Sequence, residues 1–112
     1  MICDIYDKWD IVVVPFPFAD IPKSKPRPAL VISNKKFNSK NSHTTLMMIT
    51  SSVTYKWFSD VEILDLAKTG LPKTSFLRMK VFTLDNRLIK KKIGTLALKD
   101  KKRAELLIKE SL

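Results

Sequence analysis

The sequence predicts a mainly β domain with some α structure: a small barrel or sandwich of short, mostly antiparallel strands closed by a C-terminal helix. Short apolar, β-branched runs recur along the chain, separated by turns rich in Pro and polar residues. Only the last segment changes from a strand period to a helical one. The 112 residues, 45% of them hydrophobic, suit a single domain spanning 1–112 with one core.

Residues 10–17 (DIVVVPFP) form a β-branched run, the pattern of a buried strand, which Pro15 and Pro17 end as an edge or a bend. Residues 19–28 (ADIPKSKPRP) hold three prolines with Lys23, Lys25 and Arg27 between them, which predicts a stiffened cationic loop. Residues 29–33 (ALVIS) read as a second strand and 34–44 (NKKFNSKNSHT) as a basic loop. Residues 45–50 (TLMMIT) read as a third strand, ending in the hydroxyl cluster Thr50, Ser51 and Ser52. Alternation in 58–64 (FSDVEIL) predicts a strand with one buried face. The Gly and Pro of 68–73 (KTGLPK) mark a turn, and 74–83 and 87–98 read as two more strands joined at Asp85 and Asn86. In 100–112, Ala104, Leu107, Ile108 and Leu112 share one helical face, with Asp100 as the expected cap.

Composition narrows the function. Lys and Arg number 21 against 11 Asp and Glu, a net charge of +10, which favours a polyanionic partner. Cys3 and His43 are the sole cysteine and histidine, too few for a zinc site or two-histidine acid–base catalysis. A Cys3–His43 dyad would need a residue from a terminus, where order is least expected. A lone cysteine fits a reducing compartment. Two glycines, Gly70 and Gly94, provide neither a P-loop nor a dinucleotide-binding turn, so no cofactor is expected. No apolar run approaches the roughly 20 residues of a membrane span, no leader pattern is visible, and a cytoplasmic protein is expected.

Four segments taken in series, WDIVVVPFPFAD (9–20), RPALVIS (27–33), MMITSS (47–52) and SFLRMKVFTLDNRLIKKKIGTLAL (75–98), resemble the PemK/MazF family of toxin endoribonucleases. The resemblance implies an SH3-like twisted barrel with a C-terminal helix, the fold also shared by CcdB-like plasmid toxins. It implies a homodimer that cleaves single-stranded RNA without metal, as the toxin of a type II toxin–antitoxin module. It further implies a cognate antitoxin occupying the same groove, with any contact to DNA made through that antitoxin.

On that resemblance Arg27 matches the family's catalytic arginine and Thr50 its active-site threonine. A guanidinium fork suits a phosphate bidentately and stabilises charge as the 2′-hydroxyl attacks phosphorus. Arg27 is one of only four arginines and is held between Pro26 and Pro28, which makes it more than surface charge. The Thr50 hydroxyl can donate to a phosphate oxygen or orient the 2′-hydroxyl, though alone it reads as an ordinary strand-end residue. Asp20 is the candidate general base, against the commoner role of a turn-capping Asp.

For RNA binding, Lys23, Lys25, Lys35 and Lys36 stand in two loops expected to flank one groove, with Ser51 and Ser52 nearby. Phe37 and Trp57 offer faces for base stacking, worth about 1–3 kcal/mol per base, although Trp57 equally suits a core or dimer contact. His43 can reach a base or carry a proton, but a lone loop histidine is more often solvated. The basic surface also suits an acidic antitoxin segment that folds on binding. Two other readings remain open on the same scaffold: a non-catalytic DNA gyrase inhibitor, and an RNA-binding module without cleavage. Against the first, the chain ends in KESL with no aromatic residue.

Overall fold

The computed structural model describes residues 4–15, 25–52 and 54–112. The elements run β1 (Asp10–Pro15), β2 (Pro26–Val31), α1 (Lys35–Asn41), β3 (His43–Thr50), β4 (Val61–Glu62), β5 (Phe76–Asp85), a 3-10 turn (Asn86–Leu88), β6 (Lys91–Thr95) and α2 (Leu98–Ser111). The strands form a single antiparallel sheet in the order β4-β5-β3-β2-β1-β6, curled into a half-barrel. The expected architecture is therefore present.

Alternation along the strands divides the apolar residues between two faces. Ile11, Leu30, Met47, Ile49 and Leu77 point to one side and pack with Ala104 and Leu107 of α2. Val12, Val14, Ala29, Val31, Leu46 and Phe82 point to the other and pack with Ile89. Each fully buried Ile, Leu or Val contributes about 1.5–3 kcal/mol. Both faces of β1 and β2 are thus covered, which is why DIVVV and ALV read as continuous apolar runs. Pro15 pairs with Pro26 where that ladder ends, because neither residue has an N–H to continue it.

Four expectations need correction. The segment 34–44 is not a loop: Asn34 caps α1 by accepting from the Phe37 N–H, and the Asp7 carboxylate accepts from the Lys35 N–H. The strand expected over 87–98 is only Lys91–Thr95. Buried Asn86 first draws the chain into a 3-10 turn, and α2 begins at Leu98. Asp100 does not cap α2, which starts after Ala97. Its buried carboxylate accepts from the Leu64 and Asp65 N–H groups and pairs with Arg103. The strand expected over 58–64 shrinks to Val61–Glu62, because Asp60 turns inward to Arg78.

Candidate functional site

Antiparallel pairing brings the start of β2 beside the end of β3. The β2–β3 ladder ends at the pair Ala29–Met48. Two residues further along each strand, which restores the same face, stand Arg27 and Thr50. The neighbouring ladders extend this row, with Val14 opposite Arg27 and Phe76 opposite Thr50. Where the β2–β3 ladder ends, a cleft of about 250 Å³ opens. Arg27, Thr50, Ser51, Ser52, Lys73 and Ser75 give it polar groups, above apolar contacts from Ile49 and Leu71.

The backbone fixes these groups. Arg27 is half-buried in β2 rather than in the loop expected for it, held in extended geometry between Pro26 and Pro28. Thr50 Oγ1 accepts from the Ser52 N–H at 3.1 Å, which turns the chain out of β3 and leaves Ser51 and Ser52 exposed at the rim. The third wall, 66–75, is pressed onto β6 through the two glycines. Gly70 has φ +75, and a Cβ there would lie 2.2 Å from the Ile93 carbonyl oxygen; one on Gly94 would lie 2.3 Å from that of Lys68. The Thr95 N–H donates to the Lys68 carbonyl across this contact.

The described lining is cationic and hydroxylic, with no carboxylate or imidazole. Such a set binds anions and repels divalent cations. Among the described residues no group of three or more His, Cys, Asp or Glu comes together to hold a metal.

The expected binding residues divide. Lys25 is exposed immediately before β2, at the cleft end. Lys35, Lys36, Phe37 and His43 lie at the other end of β3, roughly 23 Å from Thr50 at the rise of an extended strand. Among the described residues, Lys25 and the lysines of α1 therefore do not flank one groove. Lys35 instead borders a second hollow, of about 670 Å³, with Asp4, Asp7, Asp10 and Lys92. His43 is exposed, and its Nδ1 donates to the Asn41 carbonyl. Asp20 and Lys23 lie outside the described residues.

Trp57 has a partner within the chain: the Arg78 guanidinium sits 5.1 Å above its ring. Arg78 is buried, pairs bidentately with Asp60 at 3.1 and 2.8 Å, and also donates to the Tyr55 carbonyl. Asp60 in turn accepts from the Trp57 N–H. This knot ties the segment after Ser52 back onto β5. Sequence reading missed it, as it missed Lys73 and Ser75; an Asp inside an otherwise alternating apolar segment was the available signal for the knot.

The sequence profile of the family described as PemK-like, MazF-like toxin of type II toxin-antitoxin system matches residues 7–112. No curated protein matches the chain. Among solved structures, MazF from Deinococcus radiodurans is similar at 20% identity and a TM-score of 0.72, over 97% of this chain and 99% of that one. An endoribonuclease from Mycobacterial species, in complex with its cognate antitoxin, is 11% identical with a TM-score of 0.71, over 94% and 90%. The Mycobacterium tuberculosis toxin MazF-mt6 is 19% identical with a TM-score of 0.69, over 88% and 91%. These likenesses show a shared fold.

Proposed function

The chain belongs to the PemK-like, MazF-like toxins of type II toxin–antitoxin systems, and from that premise we propose that it is a metal-independent endoribonuclease acting on single-stranded RNA. The observation that carries this reading is the placement of Arg27 and Thr50 on one face, where β2 and β3 part to open a cationic cleft.

In the proposed reaction the ribose 2′-oxygen forms a bond to the adjacent phosphorus, and the bond from phosphorus to the 5′-oxygen breaks. Charge builds on the non-bridging oxygens. A guanidinium carried on the extended backbone of β2 at the cleft is proposed to stabilise that charge as it develops. The Thr50 hydroxyl orients the attacking oxygen or donates to the phosphate. Asp20, seven residues before Arg27 in sequence, is the carboxylate proposed to take the 2′ proton. Lys25, Ser51 and Ser52 are proposed to hold flanking nucleotides. The departing 5′-oxygen takes a proton from water, and the products are a 2′,3′-cyclic phosphate and a 5′-hydroxyl.

The partners proposed are single-stranded RNA, a second copy of the chain and an acidic antitoxin, whose charge complements the +10 toxin. Similar folds support the last of these, since one solved neighbour is in complex with its cognate antitoxin and another is a MazE–MazF complex. Among the described residues, no helix is long and apolar enough to cross a membrane.

The test is incubation of a long single-stranded RNA with the protein in EDTA, with both kinds of end mapped. Discrete cuts with cyclic 3′ ends are expected, and Arg27→Ala is expected to lower the rate about 10²–10³-fold while retaining the fold. One observation favours a second reading, binding without cleavage: the described lining contains no group to accept the 2′ proton. Salt-sensitive binding with uncut RNA would select that reading.

A further inference from the structure

Arg27 has a counterpart across the cleft. In the strand order β5-β3-β2, Thr50 of β3 lies between Arg27 on one side and the segment leading into β5 on the other. Two strand spacings, roughly 9–10 Å, separate the backbones of the two walls. The cation on the β5 side is Lys73.

Lys73 stands on a fixed backbone. Its carbonyl accepts from Ser75 Oγ at 2.9 Å, and buried Ser75 accepts at its own carbonyl from the Ile63 N–H. On the other side, Leu71 is buried in the core, and its N–H donates to Thr69 Oγ1. Gly70 against β6 closes the restraint. The side chain itself is exposed, and among the described residues it forms no ion pair with a carboxylate. A cation held on a rigid wall, with no counter-charge paired to it among the described residues, is placed for an external anion. A lysine ammonium meets a phosphate as a point charge, without the geometric demands of a guanidinium fork. Two such cations facing each other over a row of hydroxyls match a chain of phosphates better than one small anion.

We propose that Lys73 is a second phosphate-binding residue of the cleft, holding a backbone phosphate adjacent to the one that Arg27 engages. The inference rests on the RNA-cleaving reading above and adds a direction to it: the RNA backbone crosses the end of the sheet from β2 toward β5.

The test uses the full chain and a fluorescein-labelled 2′-O-methyl oligonucleotide spanning a mapped cut site, which lacks the attacking hydroxyl. Binding is followed by anisotropy over a series of salt concentrations. Lys73→Gln is expected to weaken binding about fivefold to tenfold and to make the slope of log affinity against log salt shallower by about 0.7, the value for one lost single-strand phosphate contact. Lys73→Arg restores both. In cleavage of ordinary RNA, the Lys73→Gln loss appears chiefly as a raised KM. An exposed substitution leaves thermal unfolding unchanged, so a folding defect does not mimic the result. An unchanged salt slope in Lys73→Gln overturns the proposal. If Arg27→Ala lowers the slope while Lys73→Gln does not, Lys73 alone is refuted. If the native protein neither binds nor cuts RNA, the reading beneath it falls as well.

Discussion

The two ends of the β2–β3 pair use similar polar residues for opposite purposes. At the α1 end, Ser33, Asn38, Thr44 and Asn86 close on one another. Asn38 donates to the carbonyls of Tyr6 and Ser33 and accepts from Ser33 Oγ. Asn86 donates to the Asn38 carbonyl and accepts from Thr44 Oγ1 at 2.6 Å. At the other end, Arg27, Thr50, Ser51, Ser52 and Lys73 stand around an open cleft. A closed network spends its hydrogen bonds on the fold. An open one keeps donors for a ligand. The residue types alone do not distinguish the two ends; closure does.

The sharpest way to break this comparison is to change Arg27 without removing its charge. Arg27→Lys keeps the cation and loses the planar fork. If the cleft end works by shaped donation to phosphate, cleavage falls about 10²-fold, near 2.7 kcal/mol of transition-state stabilisation. The melting temperature is expected to stay within about 2 °C, since among the described residues Arg27 belongs to no closed network. Single-turnover cleavage and calorimetry on the same preparation measure both; retention of most activity would reduce Arg27 to a generic positive charge.

The converse applies at the other end. Asn38→Ala removes three hydrogen bonds and takes the amide donor away from the half-buried Tyr6 and Ser33 carbonyls, while Ser33 Oγ still accepts from the Thr45 N–H. The expected loss is about 2–3 kcal/mol of stability, or on the order of 10 °C in melting temperature. Cleavage per folded molecule at low temperature is expected to be unaffected. A cleavage defect matching that of Arg27→Lys would show that the two ends are not separate.

How far the sequence reveals each end follows from the range of the contacts involved. Arg27 and Thr50 are legible through the family resemblance, which the short segments RPALVIS and MMITSS carry, and one antiparallel pairing is enough to bring them together. The third wall is not, because the position of Lys73 depends on contacts distant in sequence, Gly70 against β6 and the Ser75 carbonyl against Ile63, that no local pattern encodes. The same applies to Arg78 and Asp60, eighteen residues apart. Helix α1 hides for a related reason: its start depends partly on Asp7, which lies twenty-eight residues earlier in the chain. Two basic residues before Phe37 and four polar or basic residues after it also leave the helix without a readable apolar period.

Gly94→Ala sharpens the comparison by moving one wall of the cleft from outside it. The added methyl would meet the Lys68 and Thr69 carbonyl oxygens at 2.3 and 2.4 Å, so backbone must shift. The expected cost is about 1–3 kcal/mol, and the displaced segment carries Lys73 and Ser75 with it. RNA affinity therefore falls along with stability, unlike in Asn38→Ala, where stability falls alone. Anisotropy at a temperature where both variants are fully folded separates the two patterns. Unchanged affinity in Gly94→Ala would mean that the wall's position is not set by its contact with β6.

The smallest effect expected lies at the α1 end, where one charge pair stays open to water. Asp85 accepts from the Arg87 N–H at 2.9 Å and from its guanidinium at 3.1 and 2.9 Å. These hydrogen bonds lower its pKa to about 2. The folded pKa lies below the unfolded one, so the pair's stabilisation is complete above the ordinary carboxylate range. It is lost as the pH falls from about 4 toward 2. Asp85→Asn removes this dependence: its acid-unfolding curve is flatter than the native one in that window, and the two run parallel above it. Because Arg87 is largely solvent-exposed, salt shrinks the difference further. Urea titrations at pH 2.5, 4 and 6 measure it. A difference between the proteins that grew above pH 4 would mean that Asp85 acts through its place as the cap of the 3-10 turn rather than through its charge.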